Sequence, residues 1–371
     1  MNAERGGRSL YAGVMSGTSL DGIDAVVADF QHGCTLLAAT HIEFPRELRR
    51  DLLGLQESGP DEIVRAARAA NVLADLYAHA IRSVCMAAGV EPHDVIAAGV
   101  HGQTVRHRPQ EGWTSQLNNP SRVAEKAYVT VVADFRMRDI AAGGHGAPLV
   151  PAFHAAMFRD GQRHRVVANL GGIANITDLP PQGAVRGFDT GPGNVLLDTW
   201  HARHRGAAYD AAGAFAATGV ARADVLQAML REPYFAAPPP KSTGRDLFNA
   251  AWLDRFADAF QGPAQDLQAT LAELTAQSLA NAIRDHCGDA GELYLCGGGA
   301  RNLDLVRRIG DALPGVRVGT TDAIGVASDQ VEALAFAWLA RETVGGRPGN
   351  VPEVTGANGP RVLGAIYPRG A

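Results

Sequence analysis

The sequence lacks the features that mark several common protein classes. Its four cysteines lie far apart and form no Cys-x-x-Cys or Cys/His spacing; they are Cys34, Cys85, Cys287 and Cys296. We therefore expect neither a zinc site nor a disulfide framework, and a reducing compartment fits. No apolar export segment stands near the N-terminus and no run of about 18 apolar residues occurs, so we expect no export and no membrane insertion. These absences predict a cytoplasmic protein.

Concentrated positive charge is also absent. The formal net charge is −5, and the 34 Lys and Arg residues form no basic block or stripe. This argues against nucleic acid as the main partner. Paired histidines at metal-ligand spacing are missing, which excludes a zinc hydrolase, and no Gly-Lys-Ser/Thr motif of a Walker loop occurs.

What is present is a large and ordinary globular composition. The chain has 371 residues, of which 46% are hydrophobic and 20% charged. A chain of that length is longer than an ordinary domain with one hydrophobic core, so two domains are expected. The 43 glycines stand largely in short clusters between apolar runs, which favours several places where a ligand approaches bare backbone.

The stretch Gly13–Asp24 is the first of these clusters, and it predicts a strand, a tight polar turn and a second strand. Its turn offers two glycines without side chains, hydroxyls and carboxylates; these are Gly17, Thr18, Ser19, Asp21, Gly22 and Asp24. Such groups bind polyphosphate and a divalent cation. An ordinary polar hairpin is the alternative interpretation.

Two halves of the chain repeat one order of elements. Each half offers a strand hairpin with a small turn, a long helix, and a strand that ends in Gly-rich polar residues. The long helices are predicted over Asp61–Ala88 and Ala264–His286, and the strands after them over Val95–Val100 and Glu292–Cys296. The final segment, Arg361–Tyr367, is expected to return to the first domain as strand or loop.

Asp189 is the predicted catalytic carboxylate. A strand over Ala184–Phe188 delivers it, and Gly191-Pro192-Gly193-Asn194 follows before a helix. A helix N-terminus with bare backbone favours phosphate, and an aspartate beside phosphate is unfavourable unless it binds metal or takes a proton. An Asx-turn or a helix cap is the alternative.

Other candidate residues carry a structural alternative of similar weight. Gly297-Gly298-Gly299 could face adenine or ribose, or form a plain turn with Asn302 as N-cap. Glu332 forms a capping-box-like pair with Asp329. Arg136 and Asp139 could clamp a polar substrate or form a surface salt bridge. Lys241-Ser242-Thr243 reads as a polar loop, and His101 and His145 read as structural.

Several long blocks together resemble the anhydro-N-acetylmuramic acid kinase family. They are GVMSGTSLDGID (13–24), VHGQT (100–104), ADFRMRDIAAGGHGAPLVPAFH (133–154), NLGGIANIT (169–177), FDTGPGN (188–194), KSTGRDLFN (241–249) and CGGGARN (296–302). They follow the family's order over nearly the whole chain. The sequence departs from the family pattern at His145, where Gln is expected, and at Asp246, where Glu is expected.

The resemblance implies a member of the sugar kinase, Hsp70 and actin superfamily. That means an α/β protein with a two-domain actin-like ATPase fold, built from ribonuclease H-like duplicated halves with an interdomain cleft. The N-terminal domain is expected over residues 1–135 plus 345–371, and the C-terminal domain over residues 136–344. A homodimer is implied as well.

The implied enzyme is a phosphotransferase of peptidoglycan recycling and amino-sugar catabolism. It opens the 1,6-anhydro ring of 1,6-anhydro-N-acetylmuramic acid with water and phosphorylates O6 with ATP. The products are N-acetylmuramic acid 6-phosphate and ADP. Asp189 is the implied base that activates water, and because it is the one strongly placed carboxylate, a separate carboxylic acid is not expected.

The resemblance and the residue chemistry together give a set of expected ligands for ATP, Mg²⁺ and the sugar. ATP is expected at Gly17, Thr18, Ser19, Leu20, Asp21, Gly22, Ile23, Asp24, Gly171, Gly172, Gly191, Gly193, Asn194 and Gly298. The sugar is expected at Thr104, Arg136, Asp139 and Glu332, and Mg²⁺ at Asp21.

Three alternatives remain open from the sequence. A different sugar or acid kinase would share the phosphate-binding turns. An Hsp70- or actin-like protein would use ATP for a conformational switch, although the chain has no length left for a peptide-binding or polymer-forming part. A simple glycoside hydrolase would open the ring without ATP.

Overall fold

A computed structural model describes residues 7–17 and 19–370 of the chain. Their contacts divide them into two compact units. The first unit comprises the described residues up to Met157 together with those from Gln330 onward, and the second comprises Phe158–Asp329. In the described part of the chain, no helix has the length and apolar content that a membrane crossing requires.

Strands and helices alternate along the chain. The strands are β1 (Leu10–Met15), β2 (Gly22–Asp29), β3 (Thr35–Glu43), β4 (Ala97–Val100), β5 (Gln103–Arg108), β6 (Trp113–Leu117), β7 (Val131–Ala133), β8 (Arg165–Leu170), β9 (Ile173–Leu179), β10 (Arg186–Pro192), β11 (Glu292–Cys296), β12 (Arg317–Thr320) and β13 (Ala365–Tyr367). The α-helices are α1 (Arg46–Gly54), α2 (Glu62–Ala88), α3 (Pro120–Ala127), α4 (Met137–Ala141), α5 (Val150–Phe158), α6 (Val195–Arg205), α7 (Ala223–Met229), α8 (Pro233–Ala236), α9 (Ala250–Ala257), α10 (Ala264–His286), α11 (Leu303–Ala312), α12 (Val331–Val344) and α13 (Pro352–Thr355).

The sheets of the two units share one arrangement of strands. The first sheet has the order β13-β7-β4-β1-β2-β3, and the second has the order β10-β9-β8-β11-β12. In the first, β1 and β2 and then β2 and β3 pair antiparallel, whereas β1, β4 and β7 are parallel. In the second, β8, β9 and β10 form the antiparallel meander, and β8, β11 and β12 are parallel. This is the ribonuclease H-like arrangement twice, so the predicted α/β fold with duplicated halves is confirmed.

Long helices cover the sheets because their apolar residues recur at helical spacing. Helix α2 buries ten side chains, among them Leu73, Tyr77 and Ile81, against the first sheet. Helix α10 plays the corresponding part in the second unit, with Leu267, Leu271 and further apolar residues in its core. Each unit therefore has a hydrophobic core of its own.

Helix α12 packs directly on the first sheet through two glycines. A Cβ atom on Gly13 of β1 would lie 1.9 Å from the carbonyl oxygen of Ala333, and one on Gly99 of β4 would lie 2.0 Å from that of Phe336. Only the absence of a side chain at these positions lets the helix backbone approach so closely.

The contact-based units end at different residues from the predicted domains. The sequence places boundaries at 135/136 and 344/345, whereas the compact units meet after Met157 and after Asp329. The reason is packing: residues after 135 contact the C-terminal segment of the first unit through Asp139, and α12 lies on β1 and β4. The C-terminal strand β13 pairs with β7, so the predicted return to the first domain is confirmed.

Two local predictions need correction. The predicted strand over Ala184–Phe188 lies later, because β10 runs from Arg186 to Pro192 and Asp189 is inside it, at a bulge before Gly191. The capping box proposed for Glu332 is not formed: α12 begins after Gln330, which makes no side-chain cap hydrogen bond.

Candidate active site

The turn between β1 and β2 carries the first group of predicted site residues. It closes through a hydrogen bond from Leu20 N to Gly17 O of 3.2 Å, and Leu20 adopts a left-handed φ of 56° with its side chain buried. The Ser19 hydroxyl (2.7 Å) and the Gly22 N–H (3.0 Å) both donate to Oδ1 of Asp21. No described residue donates to Oδ2 of Asp21, so this exposed carboxylate keeps one oxygen for a ligand.

Other residues of the predicted phosphate stretch serve the fold. Thr18 lies outside the described residues. Ile23 is fully buried in the first core, and a Cβ on Gly22 would lie 2.4 Å from the Ile42 carbonyl oxygen. The Asp24 carboxylate hydrogen-bonds His41 Nδ1 at 2.8 Å across β2 and β3.

Arg136, which is partly buried, pairs with the buried His101 in the first unit. The Arg136 guanidinium donates from Nε (3.0 Å) and Nη2 (2.9 Å) to His101 Nε2. A guanidinium only donates, so Nε2 carries a lone pair and the imidazole is neutral. Burial and the Arg136 charge hold the pKa of His101 well below its usual value. Burial lowers the pKa of Arg136 to about 10, against the opposing charges of Glu332 and Asp139.

Arg136 and Asp139 do not bond each other; they hold the two sides of one residue. Arg136 Nη1 donates to the Gly146 carbonyl (2.8 Å), and the Gly146 N–H donates to Asp139 Oδ2 (2.8 Å). Asp139 Oδ1 also accepts from Asn350 Nδ2 (2.7 Å) and Thr355 Oγ1 (2.8 Å). The Asp139 carboxylate is fully buried with three donors, so it anchors the 144–146 loop and the C-terminal segment.

The remaining predicted sugar residues are Thr104 and Glu332, of which Glu332 acts through its charge on Arg136. Thr104, on β5, accepts a hydrogen bond from Gln116 Nε2 (3.2 Å) on β6, and Glu332 is exposed at the start of α12. A cavity of about 250 Å³ opens beside His101; its lining is His101, Thr114, Ser115, Gln116, Asn118, Pro120, Ala133, Asp134 and Tyr367. Polar groups therefore surround a space of small-molecule size. The β5–β6 hairpin that supplies several of them was not predicted.

Asp189 is the central residue of the second unit. Its backbone N–H donates to the Lys241 carbonyl (3.2 Å), and its Oδ2 accepts from the Thr243 N–H (2.9 Å). Burial raises the pKa of Asp189 to about 6, and the Thr243 hydrogen bond opposes that rise. A carboxylate with such a pKa is ionised near neutral pH and still basic enough to take a proton from water.

At two positions of the predicted phosphate site, the packing of the fold itself requires glycine. A Cβ on Gly193 would lie 2.3 Å from the Gly171 carbonyl oxygen. Gly191 has a φ of 146°, and a Cβ there would lie 2.7 Å from the Phe235 ring. The glycines at 191 and 193 are thus required by packing, whatever they bind.

Other glycines have no such internal reason. A Cβ on Gly298 would meet nothing within 4 Å, and one on Gly172 would meet only Val195 at 4.0 Å. Asn302 is the N-cap of α11 and accepts from Leu305 N (2.9 Å), so the capping interpretation of this residue is confirmed. Asn194 Nδ2 donates to the Leu170 carbonyl (2.9 Å), which ties the start of α6 to the end of β8.

The second unit also contains groups that the sequence reasoning missed. A cavity of about 640 Å³ is lined by His201, Arg205, Ala207, Tyr209, Asp210, Ala211, Ala214, Phe215, Thr218 and Gln265. Asp198 stands one helical turn before His201, and burial raises its pKa to about 7. An aspartate in the first turn of a helix is typical of a favourable interaction with the helix dipole, so its position in the sequence does not indicate this burial.

Metal binding at Asp21 would require phosphate oxygens. Among the residues that the structure describes, no three His, Cys, Asp or Glu side chains are grouped to hold a metal ion. Mg²⁺ usually binds through one or two carboxylates together with substrate phosphates and water. The exposed Oδ2 of Asp21 fits that mode.

The two departures from the family pattern lie on loops. His145 is exposed, and its backbone N–H donates to the Thr355 carbonyl (2.7 Å). Asp246 is exposed, and its backbone carbonyl accepts from Asn249 Nδ2 (3.1 Å). Both hydrogen bonds use backbone atoms of His145 and Asp246, so these bonds do not depend on the two side chains.

Comparison with known proteins gives one family. A profile of the anhydro-N-acetylmuramic acid kinase family matches residues 9–369. The protein of that name from Nitrosospira multiformis is 53% identical over 361 residues, covering 96% of this chain and 98% of the relative. The protein of that name from Cupriavidus pinatubonensis is 55% identical over 368 residues, covering 97% and 98%.

Solved structures are more distant. A xylulose kinase from Rhodospirillum rubrum aligns with a TM-score of 0.45 and 12% identity, over 95% of this chain and 94% of that one. A glucokinase of the ROK family from Streptomyces griseus, solved with glucose and AMPPNP, aligns with a TM-score of 0.43 and 16% identity, over 90% and 99%.

Proposed function

This chain belongs to the anhydro-N-acetylmuramic acid kinase family, and we propose that it converts 1,6-anhydro-N-acetylmuramic acid, water and ATP into N-acetylmuramic acid 6-phosphate and ADP. The family match over residues 9–369 supports the substrate and the class of reaction. The observation that carries the mechanism is Asp189, a half-buried carboxylate with a pKa raised to about 6 and oriented by the Thr243 N–H.

Asp189 acts as the general base. Its carboxylate takes a proton from a water molecule as the water oxygen attacks C1 of the sugar, as in inverting glycoside hydrolysis. The C1–O6 bond breaks, and its electron pair goes to O6. O6 then attacks the γ-phosphorus of ATP, the bond from that phosphorus to the β,γ-bridging oxygen breaks, and ADP leaves.

The β1–β2 turn supplies the phosphate site. Phosphoryl transfer depends on positioning and charge neutralisation, which backbone N–H groups and a cation provide. Asp21 would hold Mg²⁺ through Oδ2, and the bound ion would neutralise phosphate charge. Gly17 belongs to this site by its place in the turn, and Gly171, Gly172 and Gly298 of the second unit are assigned to ATP because their open backbone has no packing reason.

The sugar is assigned to the group around Arg136 in the first unit. Arg136, Thr104 and Glu332 offer a guanidinium, a hydroxyl and a carboxylate, which suit a sugar that carries hydroxyls, an amide and a lactyl carboxylate. Asp139 has a different part in this proposal. Because its oxygens are already bonded inside the protein, it fixes the loop that Arg136 holds.

The nucleoside of ATP is assigned to the cavity of about 640 Å³ in the second unit. The 211–213 turn that lines it packs against the start of α11, where a Cβ on Gly213 would lie 2.1 Å from Asn302 Oδ1. Asn302 follows the open backbone of Gly298 closely in the chain. Tyr209 and Phe215 provide aromatic surface for a purine.

A homodimer in the cytoplasm completes the proposal. The four cysteines are all free thiols, which fits a reducing compartment. The family resemblance supports the dimer, and light scattering would report a mass twice the chain mass of 39.0 kDa if the dimer forms.

Isotope labelling tests the reaction itself. The enzyme is incubated with the anhydro-sugar and ATP in ¹⁸O-water, and the product is analysed by mass spectrometry. The proposal expects the label at C1 and an unlabelled phosphate. Ring opening without ATP would instead indicate a glycoside hydrolase, ATP turnover without sugar a switching ATPase, and faster turnover of ordinary hexoses a different sugar kinase.

A further inference from the structure

One short segment bonds three polar groups of Asp189. β10 is the edge strand of its sheet, and residues 234–243 run beside it. The Tyr234 hydroxyl donates to the Asp189 carbonyl (2.6 Å), and the Asp189 N–H donates to the Lys241 carbonyl (3.2 Å). The Thr243 N–H donates to the carboxylate (2.9 Å). The backbone and the side chain of Asp189 are therefore fixed from one side by the same segment.

The Lys241 ammonium holds this segment together. Its Nζ donates to the carbonyls of Tyr234 and Phe235, each at 3.2 Å, and lies 4.8 Å from the centroid of the Tyr234 ring. A compact ammonium reaches two successive carbonyls and an aromatic face at once, whereas a guanidinium is planar and longer. The contact joins the start of the segment to a residue six to seven positions later, near its end.

Lysine is rare in this protein, which makes its use here informative. The chain has two lysines, Lys126 and Lys241, and its other basic residues are arginines. Lys126 lies in a partly exposed ion pair with Asp75 (2.7 Å) in the first unit. Lys241 is the lysine with a site that fits an ammonium better than a guanidinium.

We propose that Tyr234, Lys241 and Thr243 are positioning residues that hold the Asp189 carboxylate in the orientation in which it takes the proton from water. This inference rests on the proposed role of Asp189 as the base. We call the three residues the Asp189 support. None of them is assigned a contact with the substrate; each acts through Asp189.

The charges around Asp189 define what the support does to its proton affinity. Burial raises the pKa of Asp189, and the Thr243 N–H is the group that lowers it. The pKa of Tyr234 is raised mainly by burial, and the Asp189 charge raises it further. Burial lowers the pKa of Lys241, and Asp285 on α10 opposes that. On β9 the residue opposite Asp189 is Asn175, which is neutral.

Weakening the support should therefore raise the pKa of Asp189. If the Lys241 contacts are lost, the Thr243 N–H moves away from the Asp189 carboxylate. Burial then raises the pKa of Asp189 without the hydrogen bond that lowers it. The carboxylate also loses its fixed orientation, and a misplaced catalytic group costs up to about 10²-fold in rate. The higher pKa changes the pH dependence of kcat/KM and the lost orientation lowers kcat, while the Kd for ATP stays unchanged.

The test is the pH dependence of kcat/KM for the anhydro-sugar in four full-length variants. Lys241→Met and Tyr234→Phe weaken the support, Lys126→Met is the matched lysine control, and Asp189→Asn reports on the base itself. We expect Lys241→Met to lower kcat at least about tenfold. The acid limb, which is the fall of kcat/KM at low pH, should begin about one pH unit higher in this variant. Tyr234→Phe should move it in the same direction by less, and Lys126→Met should match the wild type.

The outcomes separate the support from the proposed function. If Asp189→Asn is inactive but Lys241→Met and Tyr234→Phe keep the wild-type acid limb, the support is refuted and the base assignment stands. If Asp189→Asn turns over near the wild-type rate, the base assignment fails and the support fails with it. Circular dichroism and the Kd for ATP verify folding. Should Lys241→Met not fold, the milder Tyr234→Phe decides by the presence or absence of the shift.

Discussion

The backbone N–H of Thr243 donates a 2.9 Å hydrogen bond to the carboxylate of Asp189, although the two residues are 54 positions apart in the chain. This bond opposes the effect of burial on Asp189, which raises its pKa to about 6. A fully solvated aspartate would be a weaker base, and burial without the bond would raise its pKa further. The pairing thus makes Asp189 suited to general-base catalysis near neutral pH.

Replacing Asp189 by Asn should remove the base and keep the shape of the site. The amide still accepts from Thr243 but takes no proton, so kcat should fall by about 10²–10⁴-fold. The Kd for ATP, measured by calorimetry, should stay near the wild-type value. The matched control is Asp289→Asn, which changes an exposed aspartate of the same unit and should leave kcat unchanged. Near-normal turnover in Asp189→Asn would refute the assignment.

The pH profile should show the titration of Asp189. Because the base works only when ionised, kcat/KM should be level above its pKa of about 6 and fall tenfold per pH unit below it. Steady-state rates between pH 4.5 and pH 8 measure this, with ATP affinity determined at each pH to separate loss of binding. A level profile down to pH 5 would contradict a base with a raised pKa.

The sequence predicted those parts of the fold that depend on local patterns. Apolar residues at helical spacing placed α10 over Ala264–His286, where the structure has it, and the alternation around Gly13–Asp24 gave the β1–β2 hairpin. The β5–β6 hairpin was missed because its residues are mostly half-buried and show no clear alternation. The bulge at Asp189 was missed because it depends on the partner strand.

The sequence names candidate site residues from local patterns, but the contacts that those residues make depend on the folded chain. Asp189 and Arg136 were singled out from their place after predicted strands. Lys241 was read as part of a polar loop, because its contacts with Tyr234 and Phe235 arise only when the segment folds beside β10. Asp139 was assigned to the sugar, and its bonds to residues more than 200 positions away are invisible in the sequence.

Asp139 should matter first for stability. Replacing it by Asn can keep Oδ1 as acceptor for Asn350 and Thr355, but it removes the acceptor Oδ2 of the buried Gly146 N–H. An unpaired buried donor costs about 1–3 kcal/mol, so the free energy of unfolding in urea should fall by about that amount. Asp51→Asn, at an exposed position of α1, serves as the control. Wild-type stability together with a higher KM for the sugar would show instead that Asp139 binds the substrate directly.

The close packing of α12 on the first sheet should depend on Gly99. A Cβ there would lie 2.0 Å from the Phe336 carbonyl oxygen. Because the clash is between backbone of the strand and backbone of the helix, no side-chain rotation can relieve it. Gly99→Ala should therefore lower the free energy of unfolding by about 1–3 kcal/mol or more. The matched control is Gly310→Ala in α11, where the added methyl meets nothing within 4 Å. There alanine should stabilise the protein by about 1 kcal/mol, since glycine is the poorer helix former. Equal stability of the two variants would show that α12 is not held against β4 in the way the glycine contact requires.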